Sequence, residues 1–179
     1  MRIAIDMDEV IADTAALKQG ILADLGHEIS RDEARGREFK ELVPEAVAND
    51  MARVMHTGLP FARADVIDGA VDALRTLTQT HEVFIATAAM EYPASCSHKI
   101  AWMERHFPFI DRLNFVFCGD KSILKADVLT DDHTRHFDGF AGQGVCFTAH
   151  HNLDETPDYR LDHWSDAPAL LERIEGDRA

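Results

Sequence analysis

The sequence predicts a doubly wound α/β fold: a mostly parallel sheet covered by helices, with a small helical unit inserted after the first strand. Short apolar strand patterns alternate with helix patterns along the chain, which is typical of parallel sheets. Residues 14–64 contain helix patterns without a strand pattern. Several polar residues directly follow predicted strands, and ligands of such sheets bind at the carboxyl ends of strands.

The first strand ends in a pair of carboxylates. Ile3, Ala4 and Ile5 form an apolar run that stops at Asp6, and Asp8 follows two positions later. Because side chains alternate along extended chain, Asp6 and Asp8 project the same way. Two carboxylates so close repel each other, and one is driven towards its protonated form unless a cation lies nearby. The pair therefore indicates a divalent metal, a general acid, or both.

The rest of the chain divides into a core and an insertion. Helix patterns cover residues 14–25, with Gly26 as the stop, and residues 43–55. The later predicted elements are a helix over 69–80, a strand over 83–86 ending at Thr87, a helix over 97–107, strands over 113–117, 126–130 and 145–148, the last clear strand, and a closing helix over 167–175. We expect a core of residues 1–13 and 65–179 and a cap of residues 14–64.

Composition excludes several classes of partner. The chain of 179 residues is long enough for one well-buried core with an insertion. Its 18 Lys and Arg against 32 Asp and Glu give a formal net charge of −14, which opposes binding to nucleic-acid polymers. No long apolar segment predicts a membrane span or a leader. Cys96, Cys118 and Cys146 lack the spacing of a zinc site or a disulfide framework, so we expect a soluble cytoplasmic protein.

The order of these motifs resembles that of the haloacid dehalogenase superfamily of phosphatases, and within it the 5'(3')-deoxyribonucleotidases. The signature Asp-x-Asp-x-(Thr/Val) matches the segment that starts at Asp6 and ends at Val10. The segments that carry the resemblance are residues 6–13, 85–87, 99–102, 120–122 and 126–132. The resemblance implies a Rossmann-like core with a small cap, Mg²⁺ as cofactor and a nucleoside monophosphate as substrate.

The resemblance also implies roles for the acidic residues. Asp6 corresponds to the nucleophile that forms an aspartyl-phosphate, and Asp8 to the general acid that protonates the leaving oxygen and then activates water. The sequence by itself leaves the reverse assignment within this pair open. Mg²⁺ would be held by the Asp6 carboxylate, the Asp8 backbone carbonyl and Asp132, with Asp131 just behind these ligands.

Phosphate contacts are implied for four further positions. Thr87, with backbone N–H groups next to it at Ala88, corresponds to the phosphate-binding segment, and Lys121 and Lys99 correspond to phosphate-side lysines. The chain departs from the nucleotidases at two places, since they often have Ser where this chain has Ala88 and commonly Gly where it has Glu9. The first change removes a hydroxyl, and the second alters the approach to the site.

Substrate choice is expected to depend on the cap. Phe39 and Phe61 are candidates for stacking on a nucleobase, and packing within the cap is the alternative for both. The ten histidines lack zinc-site spacing, so we expect surface or loop positions for them, with His150 and His151 near the rim of the site.

Several functions are compatible with these motifs. The leading hypothesis is a Mg²⁺-dependent nucleotidase. Alternatives are a phosphatase for a sugar phosphate or phosphoglycolate, a phosphomutase, and a phosphate-responsive binding module that resembles receiver domains. Receiver domains place their phosphorylated aspartate after a middle strand, whereas Asp6 follows the first strand, which favours the enzyme. The sequence is also compatible with a homodimer.

Overall fold

The centre of the molecule is a six-stranded, fully parallel sheet. We analysed it in a computed structural model that describes residues 1–178. In chain order the strands are β1 (Arg2–Ile5), β2 (Glu82–Thr87), β3 (Phe115–Phe117), β4 (Val128–Asp131), β5 (Gln143–Phe147) and β6 (Arg160–Leu161). Across the sheet they lie in the order β3-β2-β1-β4-β5-β6, so β1 is central and the connections run outward in both directions. The prediction of a doubly wound α/β fold is confirmed.

Strand β1 is apolar because it is buried on both faces. Ile3 and Ile5 point into the larger hydrophobic cluster, which also contains Leu74, while Ala4 points to the other face and packs against Leu129. A central parallel strand has no solvated side, so the run stays apolar until the chain leaves the sheet at Asp6.

Five α-helices accompany the sheet in the described residues. They are α1 (Thr14–Asp24), α2 (Glu45–His56), α3 (Ala70–Leu77), α4 (Cys96–His106) and α5 (Ala167–Arg178). The cluster on the Ala4 face contains Phe137 and Phe140 instead of helix residues. The short connections over 118–127 and 132–142 form 3₁₀ turns there, which makes this layer thinner than the helix layer on the opposite face.

The segment of residues 14–64 leaves the core and rejoins it at one place. Asp13 N–H donates to the Asp65 carbonyl at 2.8 Å, and Ile67 N–H donates to the Ile11 carbonyl at 2.9 Å. The segment also has its own hydrophobic cluster, made of Ala15, Leu22, Ala34, Phe39 and Met51. We propose that residues 14–64 act as a cap over the strand ends.

Two local differences from the predicted elements have simple causes. Strand β6 was missed because it has two residues and begins with the polar Arg160. Leu113 and Asn114 precede β3 in a 3₁₀ turn, because the Asp111 side chain accepts a hydrogen bond from the Leu113 N–H and starts the turn. Within residues 1–178, no helix combines the length and apolar character needed to cross a bilayer.

Candidate active site

The carboxyl ends of β1, β2 and β4 bring the predicted site residues to one edge of the sheet. Asp6 follows β1, Thr87 ends β2, and Asp131 ends β4. The Asp6 N–H donates to the Thr130 carbonyl at 2.9 Å, which fixes the chain where it leaves the sheet. Lys121 enters from the turn after β3, where the Asp120 side chain accepts from the Ser122 N–H at 3.1 Å.

Lys121 links two buried carboxylates. Its Nζ donates to Asp6 Oδ1 at 2.5 Å and also to Asp131 Oδ2. The Lys121 and Asp131 side chains are fully buried. Asp131 is further held by His136 Nδ1 at 2.9 Å and by the His133 N–H at 3.0 Å. Asp131 therefore holds Lys121 in place, and Lys121 in turn orients Asp6.

Burial and neighbouring charges shift the pKa values of Asp6, Asp131 and Lys121 in opposite directions. Burial raises the pKa of Asp6 to about 6, and the positive charge of Lys121 only partly offsets it. Burial also acts to raise the pKa of Asp131, but the hydrogen bond from His136 and the charge of Lys121 lower that pKa to about 2. Burial disfavours the Lys121 ammonium, yet Asp6 and Asp131 raise its pKa, so the lysine stays charged.

A second lysine engages Asp8 and Thr87. The buried Lys99 Nζ donates to Asp8 Oδ2 and, at 2.9 Å, to Thr87 Oγ1. It also lies 4.6 Å from the centroid of the Phe61 ring, a cation–π contact. The Asp8 side chain is about one third exposed, at 32%, so it faces open space. Its Oδ1 has no hydrogen-bond partner among the described residues.

These groups border a cleft of about 190 Å³ between the sheet edge and the residues of the insertion. Five of the predicted residues line it: Asp6, Asp8, Phe61, Ala88 and Asp132. Thr87, Lys99 and Lys121 lie in its buried walls through the contacts given above. Other lining residues that the sequence did not single out are Lys18, Glu38, Lys40, Met51, Met55, Tyr92, Arg135 and His136.

Phe39 does not reach this cleft. Its side chain is fully buried in the hydrophobic cluster of the insertion, and its ring centroid lies 4.4 Å from that of His150. Phe39 therefore packs within the insertion, which was the alternative to base stacking. Phe61 is equally buried, but it lines the cleft and packs against Tyr92 with ring centroids 5.5 Å apart.

The acidic residues of the cleft fit a hard divalent cation. Burial, with the nearby charges of Glu9, Asp131 and Asp6, raises the pKa of Asp132 well above its usual range. A buried carboxylate with so much negative charge around it needs a proton or a cation. Carboxylate and backbone carbonyl oxygens are the ligands that Mg²⁺ prefers, and Asp6, Asp132 and the Asp8 carbonyl supply them.

One cluster was missed by sequence reasoning. Glu9 is buried and is the only described non-glycine residue with positive φ, at 57°. Lys18 Nζ binds its Oε1 at 2.6 Å, while its Oε2 lies 3.3 Å from His150 Nδ1 and 3.4 Å from His151 Nδ1. His150 and His151 lie in the turn after β5, as expected for loop residues, but the expectation of a surface position is wrong, because both rings point inward onto Glu9. Two signals could have found the cluster: an acidic residue where glycine is common, and two histidines just after a strand.

Charges explain the protonation of this cluster. Burial acts to raise the pKa of Glu9, but Lys18 and the two histidines lower it well below its usual range. Burial acts to lower the pKa of His151, but Glu9 raises it. The pKa of His133 falls to about 4, mainly through burial and the neighbouring His151. Glu9 is therefore ionised, and Lys18 is its main partner.

A parallel α/β core with an Asp-x-Asp pair after the central strand, and lysines bound to both of its carboxylates, defines a phosphatase of the haloacid dehalogenase superfamily. The model of the family "5' nucleotidase, deoxy (Pyrimidine), cytosolic type C protein" matches residues 1–175. The chain belongs to this family of nucleotidases.

Known proteins similar to the chain agree with that placement. A protein of Staphylococcus aureus (strain Mu50), named "Putative 5'(3')-deoxyribonucleotidase", is 39% identical over 177 residues, with 97% of each chain covered. The 5'(3')-deoxyribonucleotidase of Bacillus subtilis (strain 168) is 31% identical over 175 residues, covering 94% of this chain and 97% of that one. A HAD family hydrolase from Deinococcus radiodurans, solved with bound phosphate and sodium, shares the fold with a TM-score of 0.64 at 13% identity, covering 97% of this chain and 96% of that one.

Proposed function

We propose that the protein hydrolyses deoxyribonucleoside monophosphates to nucleoside and phosphate with Mg²⁺, through an aspartyl-phosphate on Asp6. The observation that carries the proposal is the pairing of each carboxylate with its own buried lysine, Asp6 with Lys121 and Asp8 with Lys99, at one end of one cleft. The names of the Staphylococcus aureus and Bacillus subtilis relatives support the substrate class.

The first step transfers the phosphoryl group to Asp6. Lys121 holds Oδ1, and no described residue donates a hydrogen bond to Oδ2, so Oδ2 attacks phosphorus as the bond from phosphorus to the sugar oxygen breaks. Asp8 gives its proton to that oxygen, so the leaving group departs as a neutral hydroxyl. In the second step Asp8 takes a proton from water, the water oxygen bonds to phosphorus, and the Asp6–phosphorus bond breaks.

Lys99 links Asp8 to the expected phosphate position. Its ammonium group is bound to Asp8 and to Thr87. A phosphate at the end of β2 competes for that ammonium group, because Thr87 lies where a phosphate oxygen is expected. Lys99 is therefore placed to bind a phosphate oxygen beside Asp8.

Charge neutralisation comes from both lysines and from the metal site. A phosphate monoester repels an incoming carboxylate, so fixed positive charge around its oxygens lowers the barrier. Mg²⁺ bound by Asp6, Asp132 and the Asp8 carbonyl would supply further positive charge next to the phosphate. Asp131 acts through Lys121, which it holds against Asp6.

The apolar part of the cleft lining favours a nucleobase over a small sugar. It carries Phe61 and Tyr92, with Met51 and Met55 from α2 beside them. Aromatic rings and thioethers provide flat, polarisable contact for a base, whereas a sugar phosphate needs more hydrogen-bonding groups.

A phosphate-release panel tests the proposal. The purified chain is assayed with and without Mg²⁺ on dUMP, dTMP, purine monophosphates and small sugar phosphates, with Asp6→Asn as the matched variant. We expect Mg²⁺-dependent release from the deoxyribonucleotides, and a loss of at least about 10³-fold in kcat for Asp6→Asn with an unchanged melting temperature. Release from sugar phosphates alone would move the substrate to the first alternative, and no release from any monophosphate would end the proposal.

Cellular location forms a smaller part of the proposal. Cys96, Cys118 and Cys146 are unpaired thiols, and burial raises the pKa of Cys146 to about 11, which makes it unreactive. Free cysteines in an acidic chain support a reducing, cytoplasmic compartment.

A further inference from the structure

Glu9 lines the acidic cleft and forms, with His150 and His151, a cluster that the proposed hydrolysis does not use. One carboxylate oxygen and one ring nitrogen from each histidine lie within 4.8 Å of one another. We propose that these three side chains bind a divalent transition metal, with Zn²⁺ as the best fit, at a site separate from the Mg²⁺ site.

The distances from the Glu9 oxygen to the two histidine nitrogens match those between ligand atoms of a metal. Glu9 Oε2 lies 3.3 Å from His150 Nδ1 and 3.4 Å from His151 Nδ1. A tetrahedral zinc site with bonds of about 2.0 to 2.1 Å has neighbouring ligand atoms about 3.3 to 3.4 Å apart. An ordinary hydrogen bond between such groups is shorter, about 2.7 to 2.9 Å.

The three side chains are buried, and two of the three donor atoms lack partners. The exposed fractions of the side chains are 5% for Glu9, 3% for His150 and 6% for His151. Among the described residues, Glu9 Oε2 and His151 Nδ1 make no hydrogen bond although they face each other. A buried carboxylate oxygen without a partner is costly, and a bound cation removes that cost.

The surroundings of His151 fix which nitrogen can bind a metal. His151 Nε2 lies 3.3 Å from the Asp132 carbonyl oxygen and 3.4 Å from an Asp132 carboxylate oxygen. Both are acceptors, so Nε2 carries a hydrogen, and Nδ1 is the nitrogen that binds a metal once its own proton is released. Metal-binding histidines are commonly oriented in this way by a carbonyl or carboxylate behind the ring. Nδ1 and the Glu9 oxygen face each other, and a cation between them would bind both.

The donor set and the access route select the kind of metal. Two imidazoles and one carboxylate favour Zn²⁺ and its neighbours over Mg²⁺, which prefers oxygen. Lys18 occupies Glu9 Oε1 and leaves Oε2 for the metal. A cavity of about 260 Å³, lined by Glu9, His150, Arg31 and Thr148, gives access without passing through the catalytic cleft.

Zinc binding to the full chain tests the proposal. Metal-free protein, held in excess Mg²⁺ to fill the acidic site, is titrated with Zn²⁺ against a competing chromophoric chelator, and metal content is measured after gel filtration. We expect one Zn²⁺ per chain, and affinity at least about 10-fold weaker in His150→Gln and His151→Gln, since changes in outer partners alone cost that much. Co²⁺ in the wild-type protein should give the intense visible absorption of a four-coordinate site.

Matched variants separate this site from the others. His163→Gln makes the same exchange at an exposed histidine, and Asp6→Asn alters the acidic site, so both should bind Zn²⁺ like the wild type. Unchanged affinity in His150→Gln and His151→Gln, loss of affinity in Asp6→Asn, or no Zn²⁺ on the wild type would each overturn the proposal; the last would show a hydrogen-bonded cluster only. Should a histidine variant fail to fold, ¹⁵N-histidine spectra of the wild type decide, since Zn²⁺ must shift the Nδ1 signals of two rings.

Discussion

Lys121 and Lys18 each bind a buried carboxylate at the same edge of the sheet, but their surroundings differ. Lys121 lies in the core, with a fully buried side chain, and binds two carboxylates from neighbouring strand ends, Asp6 and Asp131. Lys18 comes from α1 in the insertion, is 22% exposed, and binds Glu9 through one oxygen only. The first group is a closed network of charges, whereas the second leaves a carboxylate oxygen open towards two histidines.

The Lys121 network therefore suits the proposed reaction, whereas the Glu9 group has no part in it. A nucleophile needs one oxygen held and the other free in a fixed direction, and the closed Lys121 network supplies that. The Glu9 group links the insertion to the core, because Lys18 belongs to α1 while Glu9 follows β1. Its unsatisfied atoms fit a ligand, and they do not reach the Asp6 carboxylate through any described hydrogen bond.

Removing each lysine gives the largest expected contrast in stability. Lys121→Met leaves Asp6 and Asp131 buried without their cation, and breaking a buried pair in this way costs about 3–5 kcal/mol. Lys18→Met should cost less than about 2 kcal/mol, because Glu9 keeps His151, whose pKa it raises, as a neighbour that can carry positive charge. Urea unfolding of both variants measures the two free energies.

The double variant Lys121→Met/Asp131→Asn serves as the control for that contrast. Since it removes one of the two stranded charges, it should recover part of the stability lost in Lys121→Met. An equal loss in the free energy of unfolding for Lys121→Met and Lys18→Met would contradict the difference between the two networks.

Phe61 and Phe39, the two candidates for base stacking, should differ in the property that their substitution changes. Phe61→Leu removes an aromatic surface of the cleft, and we expect the KM for dUMP to rise about 5-fold, or about 1 kcal/mol. Phe39→Leu changes only the cluster within the insertion, so it should lower stability by about 1 kcal/mol and leave KM unchanged. Steady-state kinetics and urea unfolding of both variants provide the four values, and a raised KM in Phe39→Leu would contradict its placement.

Most of the fold could be predicted because it depends on local patterns. The apolar run before Asp6 and the apolar segments before Thr87 and Asp131 predict buried strands, and parallel strands bring their carboxyl ends to one edge. The sequence therefore indicated which residues would meet there. Their catalytic roles stay predictions until turnover is measured.

The sequence contains signals for the members of the Glu9 cluster, but that they meet depends on geometry that sequence patterns do not carry. Its members are separated by about 140 residues of chain, and Glu9 has a positive φ that no sequence pattern indicates. Phe39 and Phe61 share an aromatic character in sequence, and only the packing of the insertion decides that one lines the cleft.

The binding of Mg²⁺ should weaken in acid, because protons compete for its ligands. The pKa of Asp6 is raised to about 6, so without metal this carboxylate holds a proton at a higher pH than an ordinary aspartate. Lowering the pH from 7.5 to 5.5 should then raise the Mg²⁺ Kd about 4-fold from Asp6 alone. The raised pKa of Asp132 should also raise the Mg²⁺ Kd in acid. Calorimetric titrations across this range test the sign, and a Kd independent of pH would place the metal elsewhere.

The smallest expected effect concerns Ala88, which lines the cleft next to Thr87 on the core side. Ala88→Ser adds a hydroxyl that can donate to a phosphate oxygen, and at about 0.5 kcal/mol this lowers KM about 2-fold with kcat unchanged. The same hydroxyl has a competing partner, because residue 88 precedes a 3₁₀ turn over Ala89–Glu91 whose first N–H groups need acceptors. A variant that gains stability without a change in KM would show that the hydroxyl caps the turn. A lower KM at unchanged stability would show that it faces the phosphate, and would add a phosphate contact to the core side of the cleft.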